Sequence, residues 1–348
     1  MFKRILVPLD GSARAERAIP VAAHIARATG GTIVLAQAIT IPFTYSPYIG
    51  STSSAAETID AELDDTNNYL NTLANSELLA GIETDTKALY GSAAPTVIST
   101  AHAYNADLIV MTSQGKTGMK RWVLGSVAQK IARHSPMPVL VLHESGPLPV
   151  GPHRDGRPLR ALVPLDGSMF AKTALEPAAL LVAALAAPEQ GALHLMRVVK
   201  PPTPEEVRAA GDQESIERLK ENTLHRAKAY LNSIADQLRE GPLAALNLSI
   251  TWSVAVDDDV AHAIIRMAEN GEDAEGAGVF GRCNLIAIAT HGRGGLQHWV
   301  LGSITERVLG ATKFPILIVR PESTEFKRPS NGGETSEAEI QVKSTLDQ

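Results

Sequence analysis

The 348-residue sequence has one cysteine, Cys283. A single thiol rules out an intrachain disulfide and a Cys-rich zinc site. Aromatic residues are also scarce, at 4%. Ala, Val, Ile and Leu must therefore fill the interior, which suits helices packed on a buried parallel sheet. Long apolar runs are missing. The longest, Pro177 to Ala187, falls short of the roughly 20 residues that a bilayer crossing needs, so no membrane role is expected. Positive charge is not in excess: 32 Lys and Arg stand against 38 Asp and Glu, a formal net charge of −6. Domains that neutralise a phosphate backbone are usually basic, so nucleic acid is not an expected partner. Met1 to Asp10 carries Lys3 and Arg4 but few apolar residues before Pro8. It reads as a first strand rather than a signal peptide, and a cytoplasmic location is expected.

What the chain does have is two copies of one pattern. Arg4–Ile5–Leu6–Val7–Pro8–Leu9–Asp10–Gly11–Ser12 returns as Arg160–Ala161–Leu162–Val163–Pro164–Leu165–Asp166–Gly167–Ser168. Gln114–Gly115–Lys116–Thr117–Gly118, then Arg121–Trp122–Val123–Leu124–Gly125–Ser126, returns as His291–Gly292–Arg293–Gly294–Gly295, then His298–Trp299–Val300–Leu301–Gly302–Ser303. Pro138 to Leu142 matches Pro315 to Val319. Order and spacing are kept, and the period is too long for a solenoid, so this is a domain duplication. The length agrees, at roughly 100–200 residues per domain.

The first domain is assigned to residues 1–145 and the second to 159–321. Between them, 146–158 is rich in Pro and Gly and reads as a stiff linker. Residues 322–348, rich in Ser, Glu, Lys and Gly, read as a disordered tail. An acidic, Gly-rich stretch from about Asn270 to Arg282 reads as a surface insertion in the second half.

Short apolar runs alternate with helical patterns. Ile5–Val7, Ile33–Ala36, Thr84–Leu89, Leu108–Met111 and Val139–Leu142 read as strands. Ser12 caps a helix carrying Ala18, Ile19, Ala22, Ile25 and Ala26, which Gly30–Gly31 ends. Further helices are expected from about Ala56 to Leu79, from Pro95 to Tyr104 and from Ser126. The second half repeats this order. The fold class is therefore α/β, with two tandem, doubly wound, parallel five-stranded sheets.

In such sheets ligands bind beyond the carboxyl ends of strands, where strand order reverses. Both repeated motifs lie directly after strands. Asp10 and Asp166 end the first strand of each half, where a carboxylate can accept from ribose hydroxyls. The glycine-bearing loop after strand four leads into a helix, whose amides and positive end suit phosphate. Gly125–Ser126 and Gly302–Ser303 supply flexible backbone and a hydroxyl there. A Walker-type loop is rejected, because Val110 stands where its first glycine would be. Cys283 is expected to be buried and inert, and Trp122 and Trp299 to be packing anchors.

These motifs resemble the universal stress protein family, from the Val-Pro-x-Asp-Gly-Ser start to the Pro-Val-Leu-Val end, to about Arg320. The resemblance implies an adenine nucleotide alpha hydrolase-like, Rossmann-like fold. In ATP-binding members the pattern is Gly-x2-Gly-x9-Gly-Ser/Thr. Here it is Thr112-x2-Gly115-x9-Gly125-Ser126 and Ala289-x2-Gly292-x9-Gly302-Ser303. The resemblance implies phosphate contacts at Gly115, Gly125 and Ser126, and at Gly292, Gly302 and Ser303. It implies that Asp10 and Asp166 touch ribose or adenine, and that backbone at Ala38 and Val198 meets adenine. Pro8, Leu9, Gln114, Lys116 and Gly118 complete the first candidate set. Pro164, Leu165, His291, Arg293 and Gly295 complete the second.

The first glycine of the pattern is Thr112 in one half and Ala289 in the other. If that position requires positive φ, a side chain costs roughly 1–2 kcal/mol, about tenfold in affinity. Asp257–Asp258–Asp259 stands where the first half has Gly91–Ser92–Ala93, and reads as a capped helix start. The family also implies pairing through the last strands, which a tandem chain could satisfy within itself as a pseudo-dimer. Two chains could then associate further as a homodimer, and a protein partner is expected but not identified. The implied function is an ATP-binding, or other adenine-nucleotide-binding, stress-response and signalling module, with Mg2+ able to accompany the ligand. With no paired acids, activated nucleophile or metal cluster in view, efficient catalysis is not expected. Slow ATP hydrolysis and a nucleotide-independent scaffold are the alternatives.

Overall fold

The computed structural model describes residues 1–40, 52–114, 124–150, 158–271, 282–290 and 301–321, with backbone only for 52–59. In the first half the order is β1 (Arg4–Leu9), α1 (Ala13–Glu16), α2 (Ala18–Thr29), β2 (Thr32–Ile39), α3 (Thr52–Ala74), β3 (Thr84–Tyr90), α4 (Ala93–Ala103), β4 (Leu108–Thr112), α5 (Ser126–His134) and β5 (Val139–Leu142). The second half runs β6 (Arg160–Pro164), α6 (Met169–Lys172), α7 (Leu175–Ala186), β7 (Ala192–Val199), α8 (Pro204–Ala210), α9 (Gln213–Glu240), β8 (Ser249–Val256), α10 (Val260–Asn270), β9 (Leu285–Ala289), α11 (Ser303–Ala311) and β10 (Ile316–Val319).

Local chemistry sets these boundaries. Ser12 Oγ accepts from the Ala15 amide at 3.2 Å and starts α1. Gly30, at φ 60°, ends α2 in the left-handed conformation that glycine adopts without strain. The third helix stops at Ala74, earlier than its apolar pattern suggested, and a 3-10 turn at Glu77–Leu79 takes over. The second half adds α8, which sequence reading did not anticipate. A capping box holds it, with Thr203 Oγ1 accepting from the Glu206 amide and the Glu206 carboxylate accepting from the Thr203 amide.

Each half is a parallel sheet, and the two join into one ten-stranded sheet in the order β3-β2-β1-β4-β5-β10-β9-β6-β7-β8. The join is antiparallel, with Val141 opposite Ile316, Leu140 opposite Leu317 and Val139 opposite Ile318. Pairing the two edge strands within the chain removes the exposed edge that each would present alone. Alternation along the strands sorts the core into two layers. Leu140, Leu142, Leu317 and Val319 face the layer beneath α2, α7 and α9. Val139, Val141, Ile316 and Ile318 face the other, beneath α4, α5 and α10. Both layers run across the join. The contact is reinforced where His24 Nε2 meets Leu185 O at 3.0 Å and Arg17 donates to Gly146 O at 2.9 Å. On the opposite face Arg133 reaches Glu306 at 3.8 Å. The most apolar segment, Met169–Ala186, is not one long rod: it divides into α6 and α7, and α7 packs against α2.

Candidate functional site

The reversal of strand order falls between β1 and β4, and again between β6 and β9. At these places the strands part. β1 and β2 stay in register over six residue pairs, Arg4 to Leu9, whereas β1 and β4 pair only at Ile5–Leu108 and Leu6–Ile109. In the second half, β6 and β9 pair only at Ala161–Leu285 and Leu162–Ile286. Beyond those residues the ladders end, at the carboxyl-end switch point where open sheets of this kind have their ligand crevice. Continuing the register sets Asp10 level with Ser113, and Asp166 level with Thr290.

On one lip of the crevice stand the acids. Asp10 Oδ1 accepts from the Ser12 amide at 3.0 Å and the Ser12 hydroxyl at 2.6 Å. Asp166 Oδ1 accepts from the Ser168 amide at 2.8 Å. Glycines at positive φ, Gly11 at 76° and Gly167 at 89°, make these tight turns possible. One carboxylate oxygen of each acid therefore organises its own turn. Pro8 and Leu9, like Pro164 and Leu165, end the strands behind the acids. Ala38 and Val198 lie past the last β1–β2 and β6–β7 pairs.

Along the other lip, Gly125 precedes α5 and Gly302 precedes α11. Neither helix start has a side-chain cap. The first amides, at Ser126 and Ser303, therefore keep the unsatisfied donors of a helix N-terminus. The two glycines are not there for flexibility. Both have φ −57°, a value open to any residue. What they provide is closeness: a Cβ on Gly125 would lie 3.0 Å from Ser113 O, and one on Gly302 would lie 2.8 Å from Thr290 O. Each glycine amide donates to that same carbonyl, at 2.7 and 2.8 Å.

The expected penalty at Thr112 and Ala289 does not arise. Both are strand residues, and the positive-φ non-glycine residues among those described are Asn105 and Asn247. Thr112 Oγ1 donates to Gln114 O at 3.0 Å. Next to it, the buried Ser113 Oγ has no hydrogen-bond partner among the described residues, and neither does the buried Gln37 Oε1 on β2. Buried polar atoms are normally satisfied, so two such atoms beside one crevice fit a site completed by a ligand.

The remaining loop candidates, Gly115, Lys116, Gly118, His291, Gly292, Arg293 and Gly295, lie outside the described residues, as do Trp122 and Trp299. Asp259 caps α10, accepting from the His262 amide at 3.1 Å, and pairs with Arg307 at 2.5 Å. Arg307, and then the His262 amide, hold its carboxyl below the usual range. Strand register matches Asp257 to Gly91, but the helix caps are Asp259 and Ser92, so the second loop is one residue longer.

A tyrosine in each half was not anticipated from sequence. Tyr69 Oη donates to Glu16 Oε1 at 2.9 Å. Burial, then Glu16, then the charge of Asp10, push its phenol above the ordinary value. Tyr230 instead has Lys172 Nζ 5.4 Å and Arg197 Cζ 5.1 Å from its ring centroid. The available signal was a Tyr-Leu step in both long helices, at Tyr69–Leu70 and Tyr230–Leu231.

The sequence profile of the universal stress protein family matches residues 1–143 and again 159–320. The chain belongs to the universal stress protein family. A universal stress protein of Methanocaldococcus jannaschii is 31% identical over 143 residues, covering 41% of this chain and 82% of that one. The crystal structure of a universal stress protein from Archaeoglobus fulgidus superposes with a TM-score of 0.58 at 20% identity, covering 91% of this chain and 96% of that one. A functionally unknown Pseudomonas aeruginosa protein gives 0.56 at 18% identity, covering 92% and 93%. These two structures match the universal stress protein described here across both halves, and what they share with it is the fold.

Proposed function

We propose that this universal stress protein is a cytoplasmic module of the stress response that binds adenine nucleotide, ATP foremost, in the crevice of each half, and signals by occupancy rather than turnover. One observation carries the reading: strands part at the reversal point, with an acid on one lip and an uncapped helix start on the other. Ribose would meet the carboxylate of Asp10 or Asp166. Phosphates would meet the amides from Gly125 and Gly302 onward, where the helix dipole favours negative charge. Ser113 Oγ, and in the other half the Thr290 end of β9, lie between the two. Mg2+ would arrive with the phosphates, which typically supply much of its coordination. Among the described residues of the crevice no base or nucleophile is assigned, and those on its lips would bind and orient.

Calorimetry of the full chain with ATP and Mg2+ tests the reading, alongside mass identification of any nucleotide that co-purifies. Saturable binding that Gly125→Val and Gly302→Val weaken supports it. No heat at millimolar ATP refutes it and leaves a duplicated scaffold.

A further inference from the structure

The duplication provides an internal control, because equivalent positions can be compared within one chain. Glu16 and Lys172 are equivalent, each four residues past its capping serine. Gln37 and Arg197 are equivalent too, each five residues beyond the start of its strand, at Thr32 and Ala192. Each stands beside the residue preceding the site acid: Gln37 pairs with Leu9, and the Leu165 amide donates to Met196 O, next to Arg197. Tyr69 thus has two acids acting on it, Glu16 and Asp10, and the strand position beside it in the repeat is the neutral Gln37. Tyr230 has two cations over its ring, Lys172 and Arg197, which stand at the positions of Glu16 and Gln37. All four variable side chains are half-buried.

The tyrosines accommodate these opposite settings differently. Tyr69 donates a hydrogen bond to Glu16. Tyr230 offers its ring face to both cations, which attracts them electrostatically. Both changes fall next to the turn of the site acid, Asp10 or Asp166, the end that the reading above gives to ribose.

We propose that the two sites are chemically distinct, the second selecting an adenine nucleotide with an additional phosphate on the ribose and the first one with free ribose hydroxyls. This rests on the nucleotide reading above. Lys172 and Arg197 are the specificity-determining residues. A ribose phosphate would gain charge-assisted hydrogen bonds there and would meet Glu16 repulsively in the other half.

The test is calorimetry on the full chain with two probes, AMP and adenosine 3′,5′-bisphosphate. One site in the wild-type protein should prefer the bisphosphate by about tenfold. Lys172→Glu with Arg197→Gln, which gives the second half the residues of the first, should bring that ratio towards one. The reciprocal Glu16→Lys with Gln37→Arg should create a second preferring site, and keeps the test alive if the first pair fails to fold. A wild-type ratio near one while AMP or ATP still binds overturns this proposal alone. A ratio that neither pair of substitutions changes also overturns it. If no adenine nucleotide binds at all, both this and the functional reading fall.

Discussion

Acid should weaken this fold through one buried imidazole. His194 on β7 is 1% exposed. Its Nε2 lies 2.7 Å from Ser253 Oγ and its Nδ1 3.0 Å from Thr251 Oγ1, both on β8. Burial first, and then the charge of Arg160, lower its pKa from 6.5 to about 4. The folded chain therefore prefers the neutral ring, while the unfolded chain takes up a proton near 6.5. Stability from this group is complete above pH 6.5 and falls as pH drops towards 4, where the loss levels off. An interval of that size corresponds to about 3 kcal/mol. The perturbation is His194→Val with Ser253→Ala: Val34 occupies the matching strand position in the first half, and the second change avoids stranding a buried hydroxyl. Urea unfolding followed by tryptophan fluorescence from pH 7 to pH 4 gives the comparison. The wild type should lose stability relative to the variant across that window. Equal pH dependence in the two proteins would refute the buried-imidazole account.

Three further outcomes are expected. Gly302→Ala should destabilise by about 1–3 kcal/mol, and by more than Gly125→Ala, because its new Cβ would meet a carbonyl at 2.8 rather than 3.0 Å; thermal melts decide the order. Gly146→Ala should loosen the join between halves, since a Cβ there would sit 2.1 Å from Lys313 O, and limited proteolysis between the halves should accelerate. Cys283 is 2% exposed and burial pushes its thiol up to about 12, so a thiol reagent should label it only in denaturant.

The strands were legible because fully buried parallel strands are continuous apolar runs, as at Leu108–Thr112 and Leu285–Ala289. Ser12 and Gly30 were legible because capping is local. Pairing through the last strands followed from the family resemblance. The acids at the strand ends and the glycines at the helix starts stand out by their place in the repeat, but Gly125 serves close approach rather than the flexibility expected of it. Other contacts depend on partners distant in sequence. His194 and Ser253 are 59 residues apart, and Tyr69 and Glu16 are 53 apart. No spacing rule connects them, and only the closed fold brings them into contact.

The antiparallel join has a directional consequence. Within each half every strand points the same way, and across the join the direction flips. The two crevices therefore open towards opposite rims of a single slab. A partner docking on one rim would meet one crevice only, and the backbone ladder at the join is what the two rims have in common.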